Sequence, residues 1–182
     1  MKLVIMERDG VINEDVDDTV TSPAEWKPIP GSLAAIARLH RAGWRVVVAT
    51  NQSGIARQRL DLDALTLIHD RMHRSVAEAG GLIDAVFFCP HAADEDCECR
   101  KPKPGLYLDI ARRLRVDLKS VPVIGHSLDD LQAARAVGAH PILVKTGKGT
   151  ETLSHHDLGT DVSVFRDLTS AVDALLTPDA GS

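Results

Sequence analysis

At 182 residues, 44% hydrophobic and 26% charged, the chain has the composition of a globular protein with one substantial core. Its net charge of -5 gives no basic field for nucleic acid or an anionic membrane surface, so neither is expected as a partner. No apolar run reaches the length of a membrane span, and the N-terminus enters a strand-like segment directly, without the pattern of a signal peptide.

Strand and helix signals alternate along the chain. Leu3 to Met6 is a short apolar run that ends at a charged turn. From about Gly31 to Ala42 the apolar positions Leu33, Ile36, Ala37 and Leu39 recur at helical spacing, with Gly43 as the stop. Arg45 to Ala49 reads as a buried strand, broken at Thr50-Asn51-Gln52-Ser53-Gly54. A long helix is predicted over Asp61 to Ala79, with Gly80-Gly81 behind it, then a strand over Ile83 to Phe88. Pro104 to Leu114 is helical, Val121 to Ile124 a fourth strand, Leu128 to Val137 a helix and Pro141 to Val144 a fifth strand. Val162 to Phe165 and Leu168 to Leu176 close the chain as strand and helix, and the tail from Pro178 to Ser182 is expected to be frayed. The expectation is a single domain over residues 1–177.

Apolar strands alternating with helices predict an α/β fold, a Rossmann-like parallel sheet between two helical layers. Such sheets bind ligands beyond the carboxyl ends of their strands, near a switch in strand order. Four strand ends carry polar motifs: Glu7-Arg8-Asp9-Gly10, Thr50-Asn51, the loop leading to Arg100-Lys101, and Gly125-His126-Ser127-Leu128-Asp129-Asp130. Together they supply carboxylates, hydroxyl and amide donors, and cations.

The loop after the third strand holds every cysteine of the chain, Cys89, Cys97 and Cys99, with His91 at metal-ligand spacing. Three thiolates and an imidazole form a closed tetrahedral set for Zn2+, with no position left for a substrate water, so a structural staple over residues 89–99 is expected. It would fix Arg100 and Lys101, a cation pair suited to an anionic substrate. Thiols used as ligands fit a reducing compartment, so a cytoplasmic location is expected.

These four motifs, in this order and over nearly the whole chain, resemble those of the haloacid dehalogenase superfamily of phosphohydrolases. Arg8-Asp9-Gly10-Val11-Ile12-Asn13, Thr50-Asn51-Gln52-Ser53-Gly54, the Cys/His loop and Arg100-Lys101-Pro102-Lys103-Pro104-Gly105 together resemble the family of D-glycero-D-manno-heptose-1,7-bisphosphate 7-phosphatases. Those enzymes make the heptose of bacterial lipopolysaccharide. Histidinol-phosphate phosphatase domains share the metal loop; Val11-Ile12-Asn13 fits the heptose enzymes better. The resemblance implies a nucleophilic carboxylate at position 7, forming a carboxyl phosphate, and Asp9 as general acid and base. It implies that Thr50, Asn51, Arg100 and Lys101 bind a small phosphorylated sugar, with Lys101 neutralising developing charge. It also implies catalytic Mg2+ at positions 7, 9, 126 and 130. Between the first two motifs the chain is short and punctuated by Pro23, Pro28, Pro30 and Gly31, which leaves no room for a large cap domain. Loops, including Glu14 to Pro30, would enclose the substrate, and the protein is expected to be a monomer.

Two positions depart from the family pattern. Glu7 stands where the nucleophile is aspartate, which displaces the carboxylate by roughly 1.5 Å. In-line attack is sensitive to that, since about 1 Å of misplacement can cost on the order of a hundredfold. His126 stands where an aspartate holds magnesium, removing a charge and offering nitrogen, which suits other metals better. Two readings follow: a phosphatase with reduced rate or another metal, or a non-catalytic binder of a phosphorylated sugar. Gln58, where related sequences usually have glycine, is a smaller departure. His69 and His73 read as a polar helical face, His155-His156 as surface histidines, and Asp15, Asp17 and Asp18 as a solvated run near the site entrance. Trp26 and Trp44 read as packing residues, with Trp26 a possible substrate contact.

Overall fold

The computed structural model describes residues 2–17 and 19–177. The expected frayed tail and Asp18 of the acidic run lie outside these residues. Six parallel strands form one sheet: β1 (Lys2–Met6), β2 (Trp44–Asn51), β3 (Ala85–Cys89), β4 (Pro122–Gly125), β5 (His140–Val144) and β6 (Ser163–Phe165). Their order is β3-β2-β1-β4-β5-β6. The helices are α1 (Ser32–Arg41), α2 (Leu62–Glu78), α3 (Gly105–Leu114), α4 (Leu128–Ala136), α5 (Gly149–His155) and α6 (Leu168–Leu176).

Side-chain alternation along the strands builds two cores. Val4, Met6, Val46 and Val48 face one way and pack with α1, α2 and α6 through Ile36, Ile68 and Val172. Leu3, Ile5, Val47 and Ala49 face the other way, against Tyr107 and Ile110 of α3 and Ala133 and Ala134 of α4. This is the three-layer arrangement expected of strands buried on both faces. The strand bounds differ locally from the sequence reading. β2 continues through Thr50 and Asn51 because both pair with β3, Thr50 opposite Phe88 and Asn51 opposite Cys89. Helix α5 was not anticipated, since its only large apolar residue is Leu153 and nothing in it repeats at helical spacing.

Two features of this fold place the site. Strand order reverses between β1 and β4, whose pairing ends at Met6 opposite Ile124, with one more bond from the Glu7 N–H to the Ile124 carbonyl at 2.9 Å. Beyond that bond the chains diverge and open the crevice where such sheets bind ligands. The segment from β1 to α1 then folds back on the sheet. Asn13 bridges to both Asp9 and Pro28, and Val11, Ile12, Val20 and Trp26 enter the first core. Trp26 is fully buried there, so it packs and does not touch substrate.

Candidate active site

Lys101 is the centre of the site. Its side chain is 1% exposed, and its Nζ donates to Glu7 Oε2, to Asp130 Oδ1 at 2.6 Å and to the Ala49 carbonyl at 2.9 Å. Burial alone would lower the lysine, but Asp130 and Glu7 outweigh it and hold the ammonium well above its ordinary range. Burial raises the Glu7 carboxyl, against the pull of Lys101. The longer side chain of glutamate carries its carboxylate onto the lysine, and Oε1 accepts from the Arg8 N–H at 2.9 Å. Asn51 fixes the lysine's backbone from both sides: its Oδ1 accepts from the Lys101 N–H at 3.2 Å, and its Nδ2 donates to the Lys101 carbonyl at 3.1 Å. The amide expected to hold substrate therefore positions the lysine.

Asp9 lies in a second buried network. Arg8 grips it with Nε on Oδ1 and an amino group on Oδ2, each at 3.0 Å. Asn13 Nδ2 donates to Oδ1 at 2.8 Å and Gln52 Nε2 to Oδ2 at 2.9 Å. Burial pulls the Asp9 carboxyl up, yet Arg8 and these amides outweigh it and hold it below the usual carboxylate range. Gln52 also donates to Thr50 Oγ1 at 2.9 Å, tying the expected phosphate-binding hydroxyl to the expected acid and base. His69 closes the network, its Nε2 lying 3.2 Å from an Arg8 amino group. Burial, then Arg8, pushes His69 down to about 3, so the imidazole is neutral. His69 is thus a partner of the site arginine, where its sequence pattern gave a polar helical face. Arg8, Gln52 and His69 had no assigned role in the sequence; the one available signal was a charged residue beside Asp9 at a strand end.

At the end of β4, Asp130 serves two other groups. While Oδ1 holds Lys101, Oδ2 accepts from the N–H groups of His126 at 3.1 Å and Ser127 at 3.0 Å and from Ser127 Oγ at 2.7 Å. Ser127 and Asp130 form the capping box of α4, which fits their spacing before a helical run. The His126 ring packs against Gly10 and Gly147, where an added Cβ on either would lie 2.5 Å from its Nδ1. Nδ1 accepts the Lys148 N–H at 2.9 Å, which leaves the ring proton of the neutral imidazole on Nε2. Magnesium needs oxygen ligands with free lone pairs in near-octahedral geometry. Each side-chain oxygen of Glu7, Asp9 and Asp130 already accepts from a protein donor, and His126 presents a proton. Glu7 Oε1, Glu7 Oε2 and Asp130 Oδ1 each accept one donor and keep a lone pair that would serve magnesium, whereas His126 brings no oxygen to the set.

The Cys/His loop is the opposite case. Cys89 ends β3, and ligand atoms of Cys89, His91, Cys97 and Cys99 all lie within 4.8 Å of one another. Cys89 Sγ is 3.5 Å from His91 Nδ1 and 3.7 Å from Cys97 Sγ, and Cys99 Sγ is 3.3 Å from the same nitrogen. A tetrahedron with metal–sulfur bonds of about 2.3 Å has edges of about 3.8 Å, so the four atoms fit such a centre. Burial, with Cys99 beside it, pushes the Cys89 thiol up to about 12, so its thiolate needs a positive partner. Arg100 is tied to this loop, donating to the His91 carbonyl at 3.2 Å. Arg100, Lys101, Lys103, Asp96, Cys97 and Asp129 line a cleft of about 260 Å³ beside it.

A sequence model of the haloacid dehalogenase-like hydrolase family matches residues 4–138. A Bordetella bronchiseptica protein named D-glycero-beta-D-manno-heptose-1,7-bisphosphate 7-phosphatase is 54% identical over 97% of this chain and 98% of its own. A Pseudomonas aeruginosa protein of the same name is 51% identical over 96% and 97%. The crystal structure of the D,D-heptose 1,7-bisphosphate phosphatase from B. bronchiseptica, complexed with magnesium and phosphate, superposes with a TM-score of 0.95 at 55% identity, covering 97% of this chain and 98% of that one. No helix among the described residues is long and apolar enough to cross a membrane. The chain belongs to the haloacid dehalogenase-like hydrolases and, among them, to the family of the D-glycero-beta-D-manno-heptose-1,7-bisphosphate 7-phosphatases.

Proposed function

We propose that this chain is a sugar-phosphate phosphatase that removes the 7-phosphate of D-glycero-beta-D-manno-heptose 1,7-bisphosphate. The observation that carries the reading is near-full-length identity above one half with proteins of that name, on a chain that keeps Asp9, Thr50 and Lys101 together at the strand ends. A Glu7 oxygen attacks phosphorus, the bond from phosphorus to the 7-oxygen breaks, and that oxygen leaves with a proton from Asp9. Water then attacks the carboxyl phosphate, gives its proton to Asp9 and frees Glu7 and phosphate. Lys101 offsets charge on the transferring group. Arg8, Asn13 and Gln52 hold Asp9 in the ionised form that serves the second step. In the first step Asp9 must carry a proton, so that step slows as pH rises.

The distal phosphate belongs in the cleft lined by Arg100 and Lys103. Cys89, His91, Cys97 and Cys99 would hold zinc, which supplies no reaction step and keeps Arg100 in place through the His91 carbonyl. Phosphate release from the heptose bisphosphate, compared with histidinol phosphate, tests the assignment. Preference for the bisphosphate supports it, and preference for histidinol phosphate overturns it.

A further inference from the structure

Asp9 must present its carboxyl to the 7-oxygen in one orientation, and Arg8 sets that orientation through two parallel bonds. We propose that His69, on α2, is a positioning residue for this reaction: through Arg8 it fixes the plane in which Asp9 passes its proton. This deepens the phosphatase reading above and rests on it.

The Arg8 side chain is 0% exposed, whereas that of Asp9 keeps 23% of its surface open. The fork of Nε on Oδ1 and Nη2 on Oδ2 locks the two planar groups together, but it does not fix the pair in the molecule. That takes contacts on the rest of the guanidinium. Gln52 Oε1 accepts from Nη2 at 3.3 Å, and His69 Nε2 lies 3.2 Å from Nη1. Among the described residues His69 is the one acceptor for Nη1. A guanidinium carries donors only, so Nε2 accepts, the ring is neutral and its proton sits on Nδ1. Burial and Arg8 both keep the imidazole in that form. The ring is held in turn. It packs against Phe88 of β3, with centroids 6.3 Å apart, and Leu65, Ile68 and Met72 anchor its helix in the first core. A line of contacts therefore runs from a packed helix through His69 and Arg8 to Asp9. Without the imidazole, Nη1 is a buried donor with no partner, and the guanidinium turns to find one, taking Asp9 with it. Proton transfer feels such a shift more than substrate binding does, because Lys101 and the cleft around Arg100 belong to a separate network.

The test compares the native chain, His69→Leu and His69→Gln, each zinc-loaded and with magnesium, on the heptose bisphosphate and on p-nitrophenyl phosphate. The value of kcat/KM covers the steps up to the first irreversible one, here transfer of the phosphoryl group to Glu7 with loss of the leaving group. The sugar oxygen leaves with a proton from Asp9, whereas nitrophenolate leaves without one. His69→Leu should therefore lower kcat/KM by about tenfold or more on the sugar ester and by less than about threefold on the aryl ester, with KM for the sugar moving less than about twofold. His69→Gln, whose Oε1 can accept from Nη1, should recover most of that loss. If His69→Leu fails to fold, His69→Asn, whose amide stops near the place of Nδ1 and short of Arg8, carries the same comparison. Equal losses on the two esters overturn the proposal, as does a sugar ester turned over as fast as by the native chain, or a Gln variant no better than Leu. Histidine nitrogen NMR of the native chain should place the His69 ring proton on Nδ1, and a proton on Nε2 overturns the proposal whether or not the chain turns over. Preference for histidinol phosphate sinks the heptose reading alone, since the ester comparison is then made on that alkyl phosphate.

Discussion

Two regions of this molecule carry residues that look like metal ligands, and they differ in what stands among those residues. In the Cys/His loop four ligand atoms converge with no protein cation between them. At the ends of β1 and β4 the acidic side chains do not converge on one another in that way among the described residues; a lysine stands between Glu7 and Asp130, and the imidazole faces a backbone amide. What separates them is the protein cation among the acids, and that depends on tertiary contacts from Lys101 and Arg8.

The comparison can be broken most severely at Lys101. Lys101→Met leaves Glu7 and Asp130 buried without their cation, and loss of one partner of a buried pair costs about 3–5 kcal/mol. Urea unfolding should show that loss, with Lys101→Arg recovering part of it. A variant as stable as the native chain would mean that the acids do not depend on the lysine.

Next in size is the change that would complete the second region as a metal site. Glu7→Asp with His126→Asp should raise magnesium-dependent phosphate release on the order of a hundredfold, while each single change gains little. Steady-state assays across the four proteins decide this, and additive single effects would contradict the coupling. On the other side, Cys97→Ser should release the bound zinc and free Arg100 from its His91 anchor. The expected effect is about a tenfold rise in KM with a smaller change in kcat, in the range of one lost charge-assisted contact.

The smallest effect sharpens the role of the buried Arg8 network. His69 titrates at about 3 in the folded chain, because burial and Arg8 disfavour its charged form, and near 6.5 when unfolded. The unfolded chain therefore gains a proton first as pH falls. The stability from neutral His69 is complete above about pH 6.5 and drains away toward pH 3. Between pH 7.5 and 5 the native chain should lose on the order of 1 kcal/mol that His69→Gln retains, as read from urea midpoints at both pH values. Equal slopes for the two proteins would contradict the buried neutral histidine.

How much of this was legible in the sequence follows the same division. Local patterns placed the strands and α6, because buried parallel strands are apolar runs and α6 repeats at helical spacing. The Cys/His loop was equally plain, since its ligands lie close in sequence and serve one purpose. Helix α5 was missed because its burial falls on Gly149 and Thr152, not on an apolar stripe. The family resemblance located Glu7, Asp9, Lys101 and Asp130 but not their pairings. Asn51 reaches Lys101 across 50 positions, and Arg8 meets His69 across 61. Such contacts depend on β2 lying between β1 and β3, which no local pattern encodes. Glu7 and His126 were visible as departures, but their consequence became legible only when Nδ1 of His126 was seen facing the Lys148 amide.

Anomalous diffraction at the zinc edge tests the central contrast most directly. The account predicts one zinc peak at the centre of Cys89, His91, Cys97 and Cys99, with Arg100 held on the His91 carbonyl. A Cys/His loop without metal, or zinc bound elsewhere with all three thiols free, would contradict it.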